Sequence, residues 1–232
     1  MNHDATLISV VVPARNEDHT VGDVIDRLKT TLQAVGVPSE ILVIDDCSTD
    51  STAEVSLRRN VTVYSFKQHM GKGYALRAGF VKAKGEIIAT IDSDGSNRPE
   101  ELPTLLNPVL RNQADLVIGS RFSGTEGTSG KKFNAAGVRL FNSIIRILTG
   151  VVVTDSQSGY RAMKSKVLEG LKLKAATYEI ESEMLVKIAH RGFRICEVPV
   201  SFEQRTYGVS ALDPIYDGFK ILMSIFTSYL KG

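Results

Sequence analysis

Short apolar runs rich in Val and Ile alternate along the first half of the chain with longer segments of helical periodicity. The apolar runs predict strands at residues 7–12, 41–44, 61–66, 86–91 and 116–119. The segments between them predict helices at residues 21–35, 52–59, 74–84 and 99–111. Alternation of this kind is typical of crossover units, which build a mostly parallel sheet with helices on both faces. The predicted fold class is therefore α/β.

Two further helical patterns follow residue 130, where the alternation weakens. Residues 133–148 carry a broad apolar stripe, which fits a helix packed on the sheet or a helix lying at a lipid interface. The last segment begins with Asp213 at an expected N-cap and Pro214 at the first helical position. It is more apolar than one buried face requires, so it docks on the core, a membrane or a partner. We expect one globular domain over residues 1–212 and a C-terminal amphipathic, membrane-associating helix over residues 213–232.

Composition and charge exclude several classes of protein. The chain has 232 residues without a low-complexity linker, and its 28 basic and 26 acidic side chains create no overall field for nucleic acid. Cys47 and Cys196 fit neither a metal-binding spacing nor a disulfide framework. The N-terminus lacks the basic region of a signal peptide, and no apolar run reaches the ~18 residues of a membrane span. We therefore expect a cytoplasmic protein that is soluble or attached to a membrane surface.

Polar side chains follow the predicted strands at the point where each strand ends. In open parallel sheets ligands bind at these carboxyl ends. The segments concerned are "PARNE" (13–17), "DDCSTD" (45–50), "DSDGS" (92–96) and "GSR" (119–121). Three of the four carry carboxylates and the last carries a guanidinium, so function is expected at this edge.

The most specific pair is Asp92 and Asp94. Residues two apart on an extended strand end project to the same side, so both carboxylates can reach one hard divalent cation. Mg²⁺ or Mn²⁺ takes few protein carboxylates and completes its shell with water and substrate phosphates. The implied partner is a nucleotide diphosphate. A turn in which each Asp bonds its own backbone is the competing interpretation.

Two more segments point the same way. A carboxylate at Asp45 or Asp46 can accept a hydrogen bond from a pyrimidine imide or from ribose hydroxyls. Glycines flank Lys72 just before a predicted helix, where the backbone can approach an anionic ligand. The segment lacks the GxxxxGK[ST] pattern of a P-loop.

With "DSQSGYRAM" (155–163), the segment at 178–205 and "RTYGVSAL" (205–212), the motifs form a recognisable order. The chain resembles the family-2 glycosyltransferases of the GT-A fold, and most closely the dolichyl-phosphate or polyprenyl-phosphate sugar synthases. The resemblance extends from about residue 8 to residue 212 and rests on at least six ordered motifs.

The resemblance implies a role for individual residues. It implies that Asp46 reads the base and that Asp92 and Asp94 hold Mg²⁺ or Mn²⁺, with Ser96 where a third ligand, often Gln, stands in these synthases. The implied donor-binding residues are Pro13, Ala14, Arg15, Glu17, Asp45, Asp46, Lys72, Asp92, Ser93, Asp94 and Arg121. The implied acceptor-phosphate residues are Arg121, Arg139, Arg205 and Ser210. The implied catalytic residues are Asp94, Asp155 and Arg205.

The implied reaction is attack by a lipid phosphate oxygen on the anomeric carbon of a nucleotide-sugar, with inversion and release of the nucleoside diphosphate. The expected partners are a UDP-sugar in preference to a GDP-sugar, a polyprenyl or dolichyl phosphate, and a membrane surface on its cytoplasmic side. The pathway served would be protein N-glycosylation or assembly of a cell-surface glycan. Glucose, N-acetylglucosamine and mannose remain open, and the apolar C-terminal segment could equally serve a homodimer.

Two departures from the family pattern concern His69, where Asn is common, and Ala211, where Lys often stands. Glu179 and Glu181 lie two apart on a predicted helix, so only one can face the site. Three alternatives stay open. A related transferase could glycosylate a hydroxyl. A nucleotidyl transferase would need glycine in the first loop, which "PARNEDHT" lacks. A catalytically silent scaffold would keep only the fold.

Overall fold

The computed structural model describes residues 6–123, 132–203, 205, 207 and 213–231, with the backbone alone for residues 132–135. The predictions made for Ser210 and Ala211 lie outside the described residues.

Seven strands and seven α-helices build this part of the chain. The strands are β1 (Ile8–Ala14), β2 (Ser39–Asp45), β3 (Thr62–Ser65), β4 (Ile87–Thr90), β5 (Leu116–Ser120), β6 (Arg161–Lys164) and β7 (Ile195–Pro199). The helices are α1 (Val21–Val35), α2 (Thr52–Leu57), α3 (Lys72–Lys82), α4 (Leu102–Leu110), α5 (Lys132–Thr149), α6 (Ile180–His190) and α7 (Tyr216–Lys231). Two 3₁₀ turns lie at Pro99–Glu101 and Ser165–Val167.

The strands form one sheet in the order β3-β2-β1-β4-β6-β5-β7. Only β6 runs antiparallel to its neighbours, β4 and β5, while the other pairs are parallel. In the centre, Val10 pairs with Ile41 on one side and with Ala89 on the other. The predicted mostly parallel α/β sheet is confirmed.

Each face of the sheet has its own apolar core because side chains alternate along each strand. Val10 and Val12 of β1 belong to the cluster that includes residues of α1 and α4. Val11 points the other way, into the cluster that includes residues of α3, α5, α6 and α7. Both faces of β1 are fully buried, which explains why its sequence is apolar without interruption.

Helices α5 and α7 pack side by side and on α6. Ile145, Ile221 and Ile225 are buried in the shared core, whereas Ile147 and Phe219 remain exposed. The expected cap is present, since the Asp213 carboxylate accepts hydrogen bonds from the backbone N–H groups of residues 215 and 216, both at 2.9 Å. Among the described helices, none combines the length and the apolar character required to cross a membrane.

Candidate active site

The loops after β1, β2 and β4 are joined to one another by hydrogen bonds. The Ser93 hydroxyl donates to the carbonyl of Pro13 (2.9 Å), and the Asp46 N–H donates to the carbonyl of Ala14 (2.9 Å). The Asn16 side chain accepts from the Thr49 N–H at 2.8 Å. The structure thus brings together the strand-end residues that the sequence predicted at one edge of the sheet.

The side chain of Asp94 has features of both interpretations of the "DSDGS" segment, the turn and the paired carboxylates. Its Oδ1 accepts from the Ser96 hydroxyl (2.6 Å) and the Ser96 N–H (3.0 Å), as a turn requires. Burial and then the neighbouring charge of Asp92 raise the pKa of the Asp94 carboxyl, while the bonds from Ser96 oppose that rise. The two carboxylates therefore interact, although one of them is also bonded to its own loop.

The oxygen donors of Asp92 and Asp94 suit a hard divalent cation. Oδ1 of Asp92 forms an ion pair with Lys72, and Oδ1 of Asp94 accepts a hydrogen bond from Ser96. Oδ2 of Asp94 lies 4.0 Å from the Arg205 guanidinium. Within the described ranges, no three His, Cys, Asp or Glu side chains cluster in a way that could hold a metal by themselves. The pair therefore fits Mg²⁺ or Mn²⁺ only if water or a substrate phosphate supplies the remaining ligands.

Lys72 lies against this pair. Its ammonium is 2.6 Å from Asp92 Oδ1 and 3.0 Å from Glu181 Oε1. Burial alone would lower the pKa of Lys72, but the two carboxylates raise it above its ordinary range. Helix α3 begins at Lys72, and the N–H groups of residues 73 and 74 donate to the carbonyl of Ala176 at 2.8 and 3.2 Å. These two N–H groups are therefore already bonded within the protein. At this end of α3 an anion would interact with the Lys72 side chain.

Of the two acids at the start of α6, Glu181 faces the site and Glu179 does not. The Glu179 carboxylate accepts hydrogen bonds from the Thr177 hydroxyl and from the N–H of Ala176 (3.0 Å), so it is bonded within the loop that precedes α6. Glu181 is 3% exposed and contacts Lys72. The sequence limited the inward-facing acid to one of the pair; the structure identifies it as Glu181.

Asp46 organises the loop before α3. Its carboxylate accepts from the N–H groups of Met70 and Gly71, both at 2.7 Å, and lies 2.7 Å from His69 Nδ1. The other ring nitrogen of His69 is 2.9 Å from Arg15. Asp46 is buried, and both oxygens of its carboxylate bond to other groups of the protein. A base would therefore contact the loop before α3 that Asp46 holds, rather than the carboxylate itself.

Asp45 is also buried at the end of β2. Its Oδ1 accepts a hydrogen bond from the Ser48 N–H at 3.1 Å. It therefore shapes the loop after β2.

Arg121 and Asp155 form a bidentate ion pair. Arg121 donates from Nε (2.6 Å), from its terminal nitrogen (2.8 Å) and from its backbone N–H (3.1 Å) to the Asp155 carboxylate, which is 0% exposed. Phe202 stacks on the guanidinium, with 5.2 Å between the guanidinium carbon and the ring centroid. Glu197 accepts from the N–H groups of residues 154 and 155 at 2.7 and 2.9 Å. The guanidinium of Arg121 is therefore partly exposed, while the carboxylate that fixes its orientation is buried.

Arg205 lies between two acids of the site. Its guanidinium is paired with the Glu17 carboxylate and lies 4.0 Å from Asp94. Burial lowers the pKa of Arg205. Arg139 is exposed on α5, and no described residue forms an ion pair with it.

Sequence reasoning missed Arg161, the first residue of β6. Its guanidinium is 0% exposed and donates to the carbonyls of Ser156, Ser158 and Glu181 at 2.8, 2.8 and 2.9 Å. It thereby joins the loop that carries Asp155 to the start of α6. The signal was present in "SGYRAM", where a charged residue opens an apolar strand, but charged side chains are normally exposed.

Paired acids at a strand end, with Lys and Arg side chains close to them on a mostly parallel sheet, are consistent with the GT-A type of transferase that the sequence resembles. Residues 9–171 match the Glycosyl transferase family 2 profile. The chain belongs to this family.

Relatives and solved structures agree with that assignment. Dolichol-phosphate mannosyltransferase of Pyrococcus furiosus is 31% identical over 216 residues, covering 88% of this chain and 59% of that protein. Undecaprenyl-phosphate mannosyltransferase of Micrococcus luteus is 33% identical over 221 residues, covering 88% of this chain and 87% of that protein. Glucosyl-3-phosphoglycerate synthase of Mycobacterium tuberculosis, solved with Mn²⁺, uridine diphosphate and glucosyl-3-phosphoglycerate, superposes with a TM-score of 0.79. It is 25% identical, and the match covers 97% of this chain and 81% of that chain.

Proposed function

We propose that this glycosyltransferase moves a hexose from a nucleotide-sugar to the phosphate of a polyprenyl or dolichyl phosphate, with inversion at the anomeric carbon. The observation that carries the proposal is the grouping of Lys72 and Arg205 around the acids at the end of β4, together with Arg121, which Asp155 holds and whose charge also interacts with Asp92. The names of the relatives from Pyrococcus and Micrococcus support a lipid phosphate as acceptor.

The residues of this chain would act mainly by positioning and by charge neutralisation. A phosphate monoester is already anionic near neutral pH, so the acceptor needs no strong general base. Asp92 and Asp94 would hold Mg²⁺ or Mn²⁺, with Ser96 orienting Asp94. A cation there supplies Lewis-acid stabilisation of the departing diphosphate. Lys72 would contact the same diphosphate, and the loops at residues 13–17 and 45–46 would hold the nucleoside.

Arg121, Arg139 and Arg205 are proposed to bind acceptor phosphate, with Ser210. A planar guanidinium grips phosphate oxygens in a bidentate manner, which suits this role. Because Asp155 is buried and bonded to Arg121, we assign it a positioning role. Arg205 would have to exchange its Glu17 partner for phosphate.

A UDP-sugar is the preferred donor in this proposal, and the protein would work as a peripheral enzyme at the cytoplasmic side of a membrane. The exposed apolar side chains of α7 fit attachment to such a surface or to a second copy of the chain.

The experiment is incubation with Mn²⁺ and each of three radiolabelled donors, UDP-glucose, UDP-N-acetylglucosamine and GDP-mannose. Parallel reactions contain a short polyprenyl phosphate or the corresponding polyprenol, which lacks the phosphate. Label that enters the organic phase only with the phosphate supports the proposal. Label that appears only on soluble acceptors refutes the lipid acceptor.

A second candidate is transfer to a hydroxyl of a small phosphorylated acid. It is favoured by the fold-wide likeness to glucosyl-3-phosphoglycerate synthase. Adding 3-phosphoglycerate as a third acceptor separates the two candidates, because its product stays in the aqueous phase. Calorimetry with UDP or GDP and Mn²⁺ tests the scaffold alternative, which predicts no heat with either nucleotide.

A further inference from the structure

The contact between Lys72, Asp92 and Glu181 places a cation of the protein on one of the two acids proposed to bind metal. The Lys72 ammonium lies 2.6 Å from Asp92 and 3.0 Å from Glu181. Both partners of the Asp92 contact are largely buried, with side-chain exposures of 19% for Lys72 and 27% for Asp92. At this depth a charge pair is screened by solvent far less than at the surface.

Among the described residues, the ion pair that the Glu181 carboxylate forms is the one with Lys72. Its side chain is 4% exposed, and its Oε1 has no well-directed hydrogen bond, so the Lys72 contact is chiefly electrostatic. The hydrogen bond from Arg161 goes to the backbone carbonyl of Glu181 and does not use the carboxylate. Removing a carboxylate from water is costly unless an opposite charge compensates. The Lys72 ammonium supplies the direct ion pair, and the charges of Arg161 and Arg121 add to this compensation at longer range.

The backbone at Gly159 also lies close against this ion pair. A Cβ atom at Gly159 would lie 2.8 Å from Lys72 Nζ and 3.1 Å from Asp92 Oδ2. Gly159 therefore lets the backbone run directly against the ion pair. This is independent of the charges and shows that the local backbone accommodates Lys72 in this position.

We propose that Lys72, held by Glu181, acts as an internal counter-cation that occupies Asp92 until a nucleoside diphosphate enters. The inference rests on the proposed function, since it assumes that Asp92 and Asp94 bind Mg²⁺ or Mn²⁺. Glu181 is then a positioning residue for Lys72.

The physical reason is competition between like charges. An ammonium and a divalent cation on the same carboxylate repel each other strongly in a partly buried site. Without nucleotide, the metal must displace Lys72 from Asp92. A diphosphate offers Lys72 another anionic partner and offers the metal further oxygen ligands. Metal and diphosphate should therefore bind with positive coupling, and each should raise the affinity for the other by the same factor.

The test measures Mn²⁺ affinity by electron paramagnetic resonance, with and without UDP, in the wild type and in Lys72→Met. Lys84→Met is the matched control, because Lys84 is exposed and precedes β4 at the opposite end of that strand. If Lys72→Met does not fold, Lys72→Gln takes its place, since the amide can still donate to a carboxylate.

We expect Lys72→Met to bind Mn²⁺ alone on the order of tenfold more tightly than the wild type, and the enhancement by UDP to shrink. Lys72→Arg keeps the charge, so its affinity for Mn²⁺ alone should stay weak. Unchanged or weaker Mn²⁺ binding by Lys72→Met overturns the inference. Failure of the wild type to bind Mn²⁺ even with UDP would instead refute the proposed metal site itself.

Discussion

The ion pair of Arg121 and Asp155 predicts a large loss of stability from the single substitution Asp155→Asn. The Asp155 carboxylate is 0% exposed and accepts three N–H groups of Arg121 at 2.6, 2.8 and 3.1 Å. Asparagine keeps one oxygen acceptor but turns an N–H₂ group towards the guanidinium. The substitution therefore leaves a positive charge without its partner in a mostly buried place.

Removing one partner of a fully buried pair costs about 3–5 kcal/mol. The Arg121 side chain is 24% exposed, so water can solvate part of its charge. We therefore expect a loss of about 2–4 kcal/mol in the free energy of unfolding. For a chain of this size each kcal/mol lowers Tm by about 2–4 °C, so the expected fall is roughly 5–15 °C.

Thermal unfolding followed by circular dichroism provides the measurement, with Asp23→Asn as the control. Asp23 also pairs with an arginine, Arg27, at 3.1 Å, but its side chain is 65% exposed. An exposed pair of this kind contributes less than about 1 kcal/mol, so the control should change Tm little. If the two variants lose the same small amount, burial of the Arg121–Asp155 pair is not what stabilises this end of the sheet.

Three further substitutions test other parts of the structure. Arg161→Met should lower the urea midpoint by an amount equivalent to about 3–5 kcal/mol, because it leaves three buried carbonyls without their charged donor; an unchanged midpoint would contradict this. The hydrogen bond from Arg194, then Lys164, lowers the pKa of Asp115, so its stabilising effect exists above about pH 4 and is lost as the pH falls through the folded-state pKa. Asp115→Asn should therefore flatten the decline of Tm between about pH 5 and pH 2, and a decline as steep as in the wild type would count against it. Asp94→Asn should lower kcat by about 100-fold or more while Tm changes little, since the amide oxygen can still accept from Ser96; unfolding without a specific loss of turnover would favour the turn-only interpretation.

The sequence predicted five of the seven strands that the structure describes and missed two, β6 and β7. β1 and β2 are continuous apolar runs because helices cover both sides of the sheet. β6 reads Arg-Ala-Met-Lys, and its charged ends hide a strand in the middle of the sheet. The predicted helix at residues 99–111 divides into a 3₁₀ turn and α4, because Pro99 and Pro103 both restrict the backbone at its start.

In the candidate site, local spacing in the sequence determines some of the side-chain contacts, and tertiary contacts determine the others. Spacing placed Asp92 and Asp94 together, because both follow one strand. The pairing of Lys72 with Glu181, or of Arg121 with Asp155, joins residues far apart in the chain, and local periodicity carries no information about it. The sequence could therefore name the charged groups but not their partners.

Those partners change how binding of an anionic donor or acceptor should be understood. Lys72 is paired with Asp92 and Glu181, Arg121 with Asp155, and Arg205 with Glu17. A phosphate that binds Lys72 or Arg205 must replace a carboxylate as the partner of that side chain. Arg121 differs, because its guanidinium is partly exposed and can contact a phosphate while it stays bonded to the buried Asp155. Exchange weakens binding of a lone anion, whereas a metal that neutralises the displaced carboxylates restores it. The site should therefore discriminate against phosphate alone and favour a diphosphate that arrives with its cation.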